Sequence, residues 1–358
     1  MLQIIDGVSP FTEGEVRVGV DPELAIRAHS GPNKDRWLPA HRFFPAKEDA
    51  IVVPGAGKVF RDGAAVEFNP YPSTQPVTVI RNMGALMKKA QEVIGKDNHL
   101  EAISTMEIDL EDFLKDAPAD VLMGGCRPSL NAYGRKCHVP SATHYPLRHM
   151  AGHIHLSPAM GARDWVKYLL GNTALYPALV ACLDAFLGAR LREMFHSPAY
   201  EKRSAIYGQW GEYREHTYPA ITLGMVVKGV EYRTPGAEMW SAPALALLAL
   251  QTAVWVVLNS EELITKMNVP GRAGLGETGP FAFFPGGKGW KWGESVLDFC
   301  IPGLFNASTI RLFSERWKSD FISPEVEGSE FLFPTPWERY ASSLNVTVPS
   351  RAAAAAAA

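Results

Sequence analysis

Apolar residues recur along the chain with the two spacings that distinguish strands from helices. Alternating or short apolar runs predict strands over residues 15–27, 59–69, 99–110, 152–157 and 225–233. A spacing near 3.6 residues predicts helices over residues 77–95, 162–195 and 239–267. The order lacks the regular strand–helix–strand alternation of a parallel sheet, so the pattern favours an α+β domain built on an antiparallel sheet.

Three segments fit neither spacing. Residues 121–150 are rich in glycine and proline, which predicts a shaped loop that leads into the strand at 152–157. Residues 200–219 form a polar segment between two helical regions. Residues 271–293 are rich in glycine and contain Lys288 and Lys291, so they suit either a lid over a site or a flexible surface loop.

Composition narrows the class of protein. The 358 residues are 47% hydrophobic and 20% charged, which excludes a disordered or fibrous chain. A net charge of −3 provides no basic field for nucleic acid or for a membrane surface. Four cysteines in no metal or disulfide pattern favour a reducing compartment, and residues 1–15 lack a signal-peptide pattern, so we expect a cytoplasmic protein.

One segment, residues 240–260, is uncharged over about the length of a membrane span. Pro243 and Gln251 interrupt it, acidic residues flank it, and no cluster of lysine or arginine orients it. A buried helix in the core of a soluble protein has the same pattern. We therefore expect no membrane partner.

Ionisable residues stand two positions apart in strands that otherwise favour burial. These pairs are Asp21 with Glu23, His153 with His155, and Glu231 with Arg233, and a further strand carries Glu67. Residues i and i+2 of a strand share a face, and buried acids repel one another unless a cation lies between them. Carboxylates with histidine suit Mg²⁺ or Mn²⁺. The alternative is that each pair forms a local salt bridge or a solvent-facing surface.

Three arginines, Arg203, Arg214 and Arg233, lie close together along the chain near Glu231. Guanidinium matches the geometry of phosphate oxygens, so arginines beside a metal indicate phosphoryl chemistry. Their alternative interpretation is as ordinary surface arginines.

The order of these motifs resembles that of the glutamine synthetase-like superfamily of carboxylate–amine ligases, and within it the amidoligases of bacteriophages. The motifs, which span residues 19–235, are VDPEL, AVEFN, GHIHLS, KRSAIYGQWGEYR and VEYRTP. The resemblance implies a curved antiparallel sheet with helices packed on its outer face. It also implies a ligase domain over residues 1–320, followed by a C-terminal extension, residues 321–358, that ends in a run of alanines.

The resemblance assigns roles to individual residues. It implies the metal ligands Asp21, Glu23, Glu67, His153 and Glu231. It implies contacts to ATP phosphates or to an acyl phosphate from His155, Ser157, Arg203, Arg214 and Arg233, with Arg214, Glu231 and Arg233 as the catalytic residues. Apart from the resemblance, Arg148, just before the His-x-His strand, and the loop containing Asn131 and Tyr133 are candidates for binding the substrate carboxylate.

The implied reaction joins a carboxylate to an amine. ATP would phosphorylate the carboxylate to an acyl phosphate, which the amine attacks to give an amide or isopeptide bond, with Mg²⁺ or Mn²⁺ as cofactor. The sequence identifies neither the carboxylate nor the amine, and it leaves open whether each belongs to a small metabolite, a peptide or a protein. The resemblance also implies a homo-oligomer and, for a phage-encoded protein, the host cytoplasm, with association with the virion left open.

Two alternatives belong to other functional classes. One is a metal-dependent hydrolase that uses the His153–His155 pair, since His-x-His on a strand is a common metal pair. The other is a non-catalytic phage structural or assembly protein that retains the fold. Cys126 is interpreted as a small packing residue, because no base is paired with it in the sequence.

Overall fold

The structure is a computed structural model that describes residues 14–122, 129–134, 146–220 and 225–266. It mixes helices with strands, and its antiparallel sheet curls into a half-barrel, in agreement with the predicted α+β class. The glycine-rich segment 271–293, Cys126 and the extension 321–358 lie outside the described residues.

Most strands are short. They are β1 (Val16–Val20), β2 (Glu23–Ala28), β3 (Trp37–Leu38), β4 (Ile51–Val53), β5 (Gly57–Asp62), β6 (Ala65–Pro70), β7 (Asn98–Glu101), β8 (Thr105–Glu107), β9 (Leu130–Asn131), β10 (Leu147–His149), β11 (Ile154–Pro158), β12 (Glu212–Ala220) and β13 (Met225–Tyr232).

The helices include two long ones, at either end of the set. They are α1 (Pro76–Ile94), α2 (Leu110–Asp116), α3 (Ala119–Leu122), α4 (Asp164–Gly171), α5 (Tyr176–Leu183), α6 (Ala189–Met194), α7 (Pro198–Ile206) and α8 (Pro243–Lys266). A π-helical turn, Asp184–Gly188, joins α5 to α6, and a 3₁₀ turn, Lys47–Asp49, precedes β4.

Two antiparallel sheets meet where β1 continues into β2. The first has the order β1-β11-β13-β12-β9, and the second has the order β3-β2-β6-β5-β4, with β7 also paired to β2. At the junction Pro22 cannot donate a backbone hydrogen bond, but its carbonyl accepts from the Phe68 amide at 3.0 Å. The junction therefore brings residues of both sheets to one place.

Helices cover one face of this curled sheet. Helix α4 lies against β11 and β13, α8 against β1, and α1 against β5 and β6. Apolar side chains of the strands, such as Ile154, Leu156 and Val230, are wholly buried in the core shared with these helices. Alternate residues of the same strands point to the opposite face.

The helices over 77–95 and 239–267 and the strand over 225–233 are confirmed, to within a few residues. The region 162–195 is helical as predicted, but it is divided into α4, α5 and α6. The run 15–27 is two strands, because the chain turns at Pro22, and 59–69 is a hairpin that turns at Gly63. For residues 200–219 the sequence predicts a polar segment without regular structure, and this is wrong. The segment contains most of helix α7 and most of strand β12.

Two described stretches, Thr173–Arg192 and Pro243–Thr265, are long and apolar enough to cross a membrane by length and composition. In each, about two thirds or more of the most apolar window is buried inside the protein, at 72% and 67%. Core helices of soluble proteins meet the same criterion.

Candidate active site

A row of polar residues crosses the first sheet on the face that the helices leave uncovered. In the strand register Gly19 pairs with His155, His155 with Glu231, and Glu231 with Arg214. His153 and Ser157 flank His155 at alternate positions, so all three share this face. The predicted polar pairs of the middle strands therefore meet, because neighbouring strands place them side by side.

The first ligand group lies where Asp21 reaches this row from the end of β1. The Asp21 Oδ1 atom is 3.0 Å from His155 Nε2 and 3.2 Å from His153 Nδ1. His153 Nδ1 is also 3.4 Å from Glu231 Oε1, so a nitrogen and two carboxylate oxygens converge. The His216 ring lies 5.6 Å from the His155 ring, and His155, His216 and Glu231 form a further set of closely spaced donors.

The second ligand group consists of three carboxylates on β2, β6 and β5, which are neighbouring inner strands of the second sheet. Glu23 and Glu67 face each other across β2 and β6, and Asp62 ends β5 beside them. Ligand atoms of the three lie within 4.8 Å of one another. Lys47 reaches Glu67 with its Nζ 3.5 Å from Oε1, while the Glu23 Oε2 accepts a hydrogen bond from the Ala151 amide at 3.0 Å.

Burial and repulsion make the second group difficult to ionise. Burial, reinforced by the charges of Asp62 and Asp21, raises the pKa of Glu23 to about 8. Burial, together with Asp21 and Asp62, raises the pKa of Glu67 well above its usual value, and the pKa of Asp62 is raised chiefly by burial. Protons or a cation must therefore neutralise this group.

The first group has the opposite electrostatics. Burial opposes ionisation of Asp21, but His155 and His153 hold its pKa well below the usual value. Burial likewise opposes ionisation of Glu231, while His153 and Arg233 lower its pKa. Burial, then the charge of Arg233, lowers the pKa of His153 to about 4, so at neutral pH its imidazole is uncharged and can act as a ligand.

Two of the predicted arginines border the first group. Arg233 is buried and donates to Glu231 Oε1, and its Nε lies 3.6 Å from Glu212 Oε1. Arg214 Nη1 is 3.9 Å from Glu231 Oε1, and its side chain is 26% exposed. Of the two, Arg214 is therefore the more accessible to a ligand, whereas Arg233 braces Glu231 from within.

The third arginine has a different setting. Arg203 is wholly buried, and its guanidinium donates to the carbonyls of Arg233, Thr234 and Pro235 at 2.9–3.0 Å. A side chain at Gly208, which has a positive φ of +64°, would overlap this guanidinium. The described contacts of Arg203 therefore fix the backbone after β13 and do not place it among the ligand groups.

The two residues suggested for substrate binding also have local contacts. The Arg148 guanidinium lies 4.8 Å from the centre of the Phe113 ring and donates to the Leu147 carbonyl. The Asn131 side chain donates to the Trp210 carbonyl at 2.8 Å and accepts from the Tyr133 amide. Neither has a described contact with the ligand groups.

Sequence reasoning missed four residues at the site: Lys47, Asp62, Tyr207 and His216. The Asp-Gly dipeptide at 62–63 is typical of a β-hairpin turn. A hairpin at this point places Asp62 on the strand next to the one that carries Glu67. His216 stands two positions after Arg214 on β12, so the spacing that found the other pairs applied here too. No local pattern marked Lys47 or Tyr207.

The donor sets fit divalent cations. Glu23, Asp62 and Glu67 offer only oxygens, which suits Mg²⁺ or Mn²⁺, while Asp21, His153 and Glu231 add a nitrogen, which tilts the preference toward Mn²⁺ or Zn²⁺. Burial and the neighbouring acids raise the pKa values of Glu23 and Glu67, and a cation bound between these carboxylates would lower both.

Neither a scan against models of protein families nor a search of curated proteins finds a match for this chain.

Proposed function

We propose that this protein is an ATP-dependent carboxylate–amine ligase with a glutamine synthetase-like catalytic fold. The observation that carries the proposal is that two groups of candidate cation ligands and two arginines lie near the junction of the two antiparallel sheets, where β1 continues into β2. Helices on the other face agree with the same fold. The order of the motifs along the chain gives independent support.

In this proposal the two ligand groups hold Mg²⁺ or Mn²⁺. Asp21, His153 and Glu231 form one site, and Glu23, Asp62 and Glu67 form the other. When bound, the cations neutralise the phosphates and the substrate carboxylate, which would otherwise repel one another. Arg214 offers its guanidinium to the transferred phosphoryl group, while Arg233 keeps Glu231 in place.

The overall reaction has two transfers. A carboxylate oxygen of the first substrate attacks the γ-phosphorus of ATP, which gives an acyl phosphate and releases ADP. The amine nitrogen then attacks the acyl carbon, the C–O bond to phosphate breaks, and loss of a proton from nitrogen leaves an amide and inorganic phosphate. Because water would hydrolyse the acyl phosphate, the burial of Glu23, His153 and Glu231 suits this chemistry.

The test is ADP formation by the full chain with ATP and Mg²⁺ or Mn²⁺. Candidate carboxylates and amines include amino acids, polyamines and proteins, with a mass gain sought in the product. We expect Glu67→Gln and His153→Ala to abolish turnover, since each removes a cation ligand. Glu111→Gln, which changes an 88% exposed carboxylate on α2, serves as the matched control and keeps full activity.

Undiminished ADP formation by Glu67→Gln or by His153→Ala would show that the site is assigned wrongly. Absence of ATP binding by calorimetry in either cation would favour the non-catalytic alternative, a phage structural or assembly protein with this fold.

A second candidate function is a metal-dependent hydrolase. The approach of His216 to His155 and Glu231 favours it, because two histidines and a carboxylate form a common hydrolytic metal set. Hydrolysis of ester, peptide or phosphate substrates with Zn²⁺ and without ATP, lost in His216→Ala, would select this candidate.

A further inference from the structure

Tyr207 links the first ligand group to Arg233. It directly follows α7, and its hydroxyl is 3.0 Å from His153 Nε2. Arg233 donates to the same hydroxyl from Nη2 at 2.6 Å. The phenol thus stands between a ligand histidine and the buried guanidinium.

His153 uses its two ring nitrogens in different directions. Nδ1 faces Asp21 and Glu231 at 3.2 and 3.4 Å, so a cation bound by this group would use the Nδ1 lone pair. In a neutral imidazole the proton then resides on Nε2, which must find a hydrogen-bond acceptor. The atom that Nε2 faces is the hydroxyl oxygen of Tyr207.

A guanidinium could not serve in place of this phenol. Guanidinium has donors only, so a direct contact from Arg233 would require a lone pair on His153 Nε2 and would force the proton onto Nδ1. A phenolic oxygen accepts from Arg233 and also accepts from, or donates to, Nε2. The phenol therefore allows the Nε2–H tautomer of His153, which leaves the Nδ1 lone pair for a cation, to lie close to Arg233.

The position of Tyr207 is fixed by its surroundings. The guanidiniums of Arg203 and Arg233 lie 5.2 and 5.0 Å from the centre of its ring. The His153 ring meets the Tyr207 ring edge-on, with centres 5.7 Å apart. The next residue is Gly208, and because it has no side chain the Arg203 guanidinium can pack directly against its backbone.

We propose that Tyr207 is a positioning residue that accepts the Nε2 proton of His153 and so presents the Nδ1 lone pair to a cation at Asp21, His153 and Glu231. The inference deepens the proposed function and rests on its cation site. Groups that orient a ligand histidine through its second nitrogen contribute about 10- to 100-fold to metal affinity.

The first test measures Mn²⁺ binding to the full chain by electron paramagnetic resonance, without nucleotide. We expect Tyr207→Phe to weaken the His153-dependent site by about 10- to 100-fold. The matched control is Tyr176→Phe, which deletes a phenol that donates to the Leu170 carbonyl within the core. It should leave Mn²⁺ affinity within about twofold of wild type, so that a general loss of stability is separated from loss of orientation.

The second test follows the Nε2 proton of His153 by ¹H–¹⁵N NMR of the Mg²⁺-saturated protein, with the signal identified from its absence in His153→Gln. A hydrogen-bonded Nε2–H should give a protected signal in wild type and in Tyr176→Phe. In Tyr207→Phe the same proton should exchange rapidly with solvent, which a purely structural role of Tyr207 would not produce.

Unchanged Mn²⁺ affinity and an unchanged Nε2–H signal in Tyr207→Phe would overturn the inference while leaving the ligase proposal intact. Weakened Mn²⁺ binding in this variant, with no ADP formed by wild type from any substrate pair, would support the inference and reject the ligase. Absence of Mn²⁺ binding to wild type would overturn both.

Discussion

Glu23 and Glu67 show how one residue pair constrains the whole site. They stand directly opposite each other in adjacent strands, an arrangement that destabilises a sheet when both carry charge. Both are buried, so water cannot screen the repulsion. The protein therefore needs a proton or a cation at this place.

Glu23 should make the stability of the metal-free protein fall as the pH rises. Its pKa is about 8 when folded and near 4.5 when unfolded, so the folded state binds more protons between these values. When a chelator removes any bound cation, the contribution of Glu23 to the free energy of unfolding should decrease by about 3 kcal/mol between pH 5 and pH 8.

Urea unfolding of wild type and Glu23→Gln across this range checks the prediction. The amide removes the titration, so the decline should be smaller by about 3 kcal/mol in the variant, and Mg²⁺ or Mn²⁺ should restore wild-type stability at pH 8. Glu92→Gln, an exposed change on α1, should keep the wild-type slope. Identical slopes in wild type and Glu23→Gln would contradict the buried, repelled carboxylate.

Helix α7 and the turn that follows it position the end of β13. Arg203 projects from α7 into the core and satisfies three successive carbonyls after β13. On the other side, Asp184 of the π-helical turn accepts hydrogen bonds from Tyr232 at 2.6 Å and from Thr234 at 3.0 Å. These contacts hold the strand end that carries Glu231 and Arg233.

Arg203→Met should destabilise the protein without any ligand present. The change leaves three buried carbonyls without these donors, which costs about 3 kcal/mol in the free energy of unfolding. Lys202→Met, an exposed neighbour on the same helix, should change it by less than about 0.5 kcal/mol. A guanidinium that only bound phosphate would leave ligand-free stability unchanged, so urea unfolding separates the two roles.

At the scale of the whole molecule, the described strands present one face that packs against helices and one that carries the polar side chains. Helices α1, α4 and α8 bury the apolar side chains of the strands. The curl of the half-barrel gathers Asp21, His153 and Glu231 on the other face. Packing against the core therefore explains why these helices are apolar.

We predict that the full chain partitions into the aqueous phase in a Triton X-114 separation. The apolar windows of both candidate spans are mainly buried against other elements, so little of their surface is left for detergent. A single-span membrane protein should enter the detergent phase in the same experiment. Recovery of this chain in the detergent phase would contradict the prediction.

Most helices and strands could be predicted from local sequence patterns. Burial of one face of an element requires apolar residues at the spacing of that element, about 3.6 residues in a helix and 2 in a strand. The long helices α1 and α8 and the strand β13 needed no tertiary information. The hairpin at Gly63 and the strand β12 were missed, since a short turn and a polar edge strand leave weak patterns.

The sequence by itself determined that His153 shares a face with His155 and Glu231 with Arg233, since that depends only on spacing along the strand. The predicted pairing of Asp21 with Glu23 on one strand face is wrong, because the chain turns at Pro22 and the two residues belong to different ligand groups. Only the tertiary structure decided which acids and histidines meet. Strand register joins His155 to Glu231, and the β5–β6 hairpin adds Asp62 to Glu23 and Glu67. It also assigned Arg203 to the core, because whether a guanidinium meets backbone carbonyls depends on chain packing far from its own position.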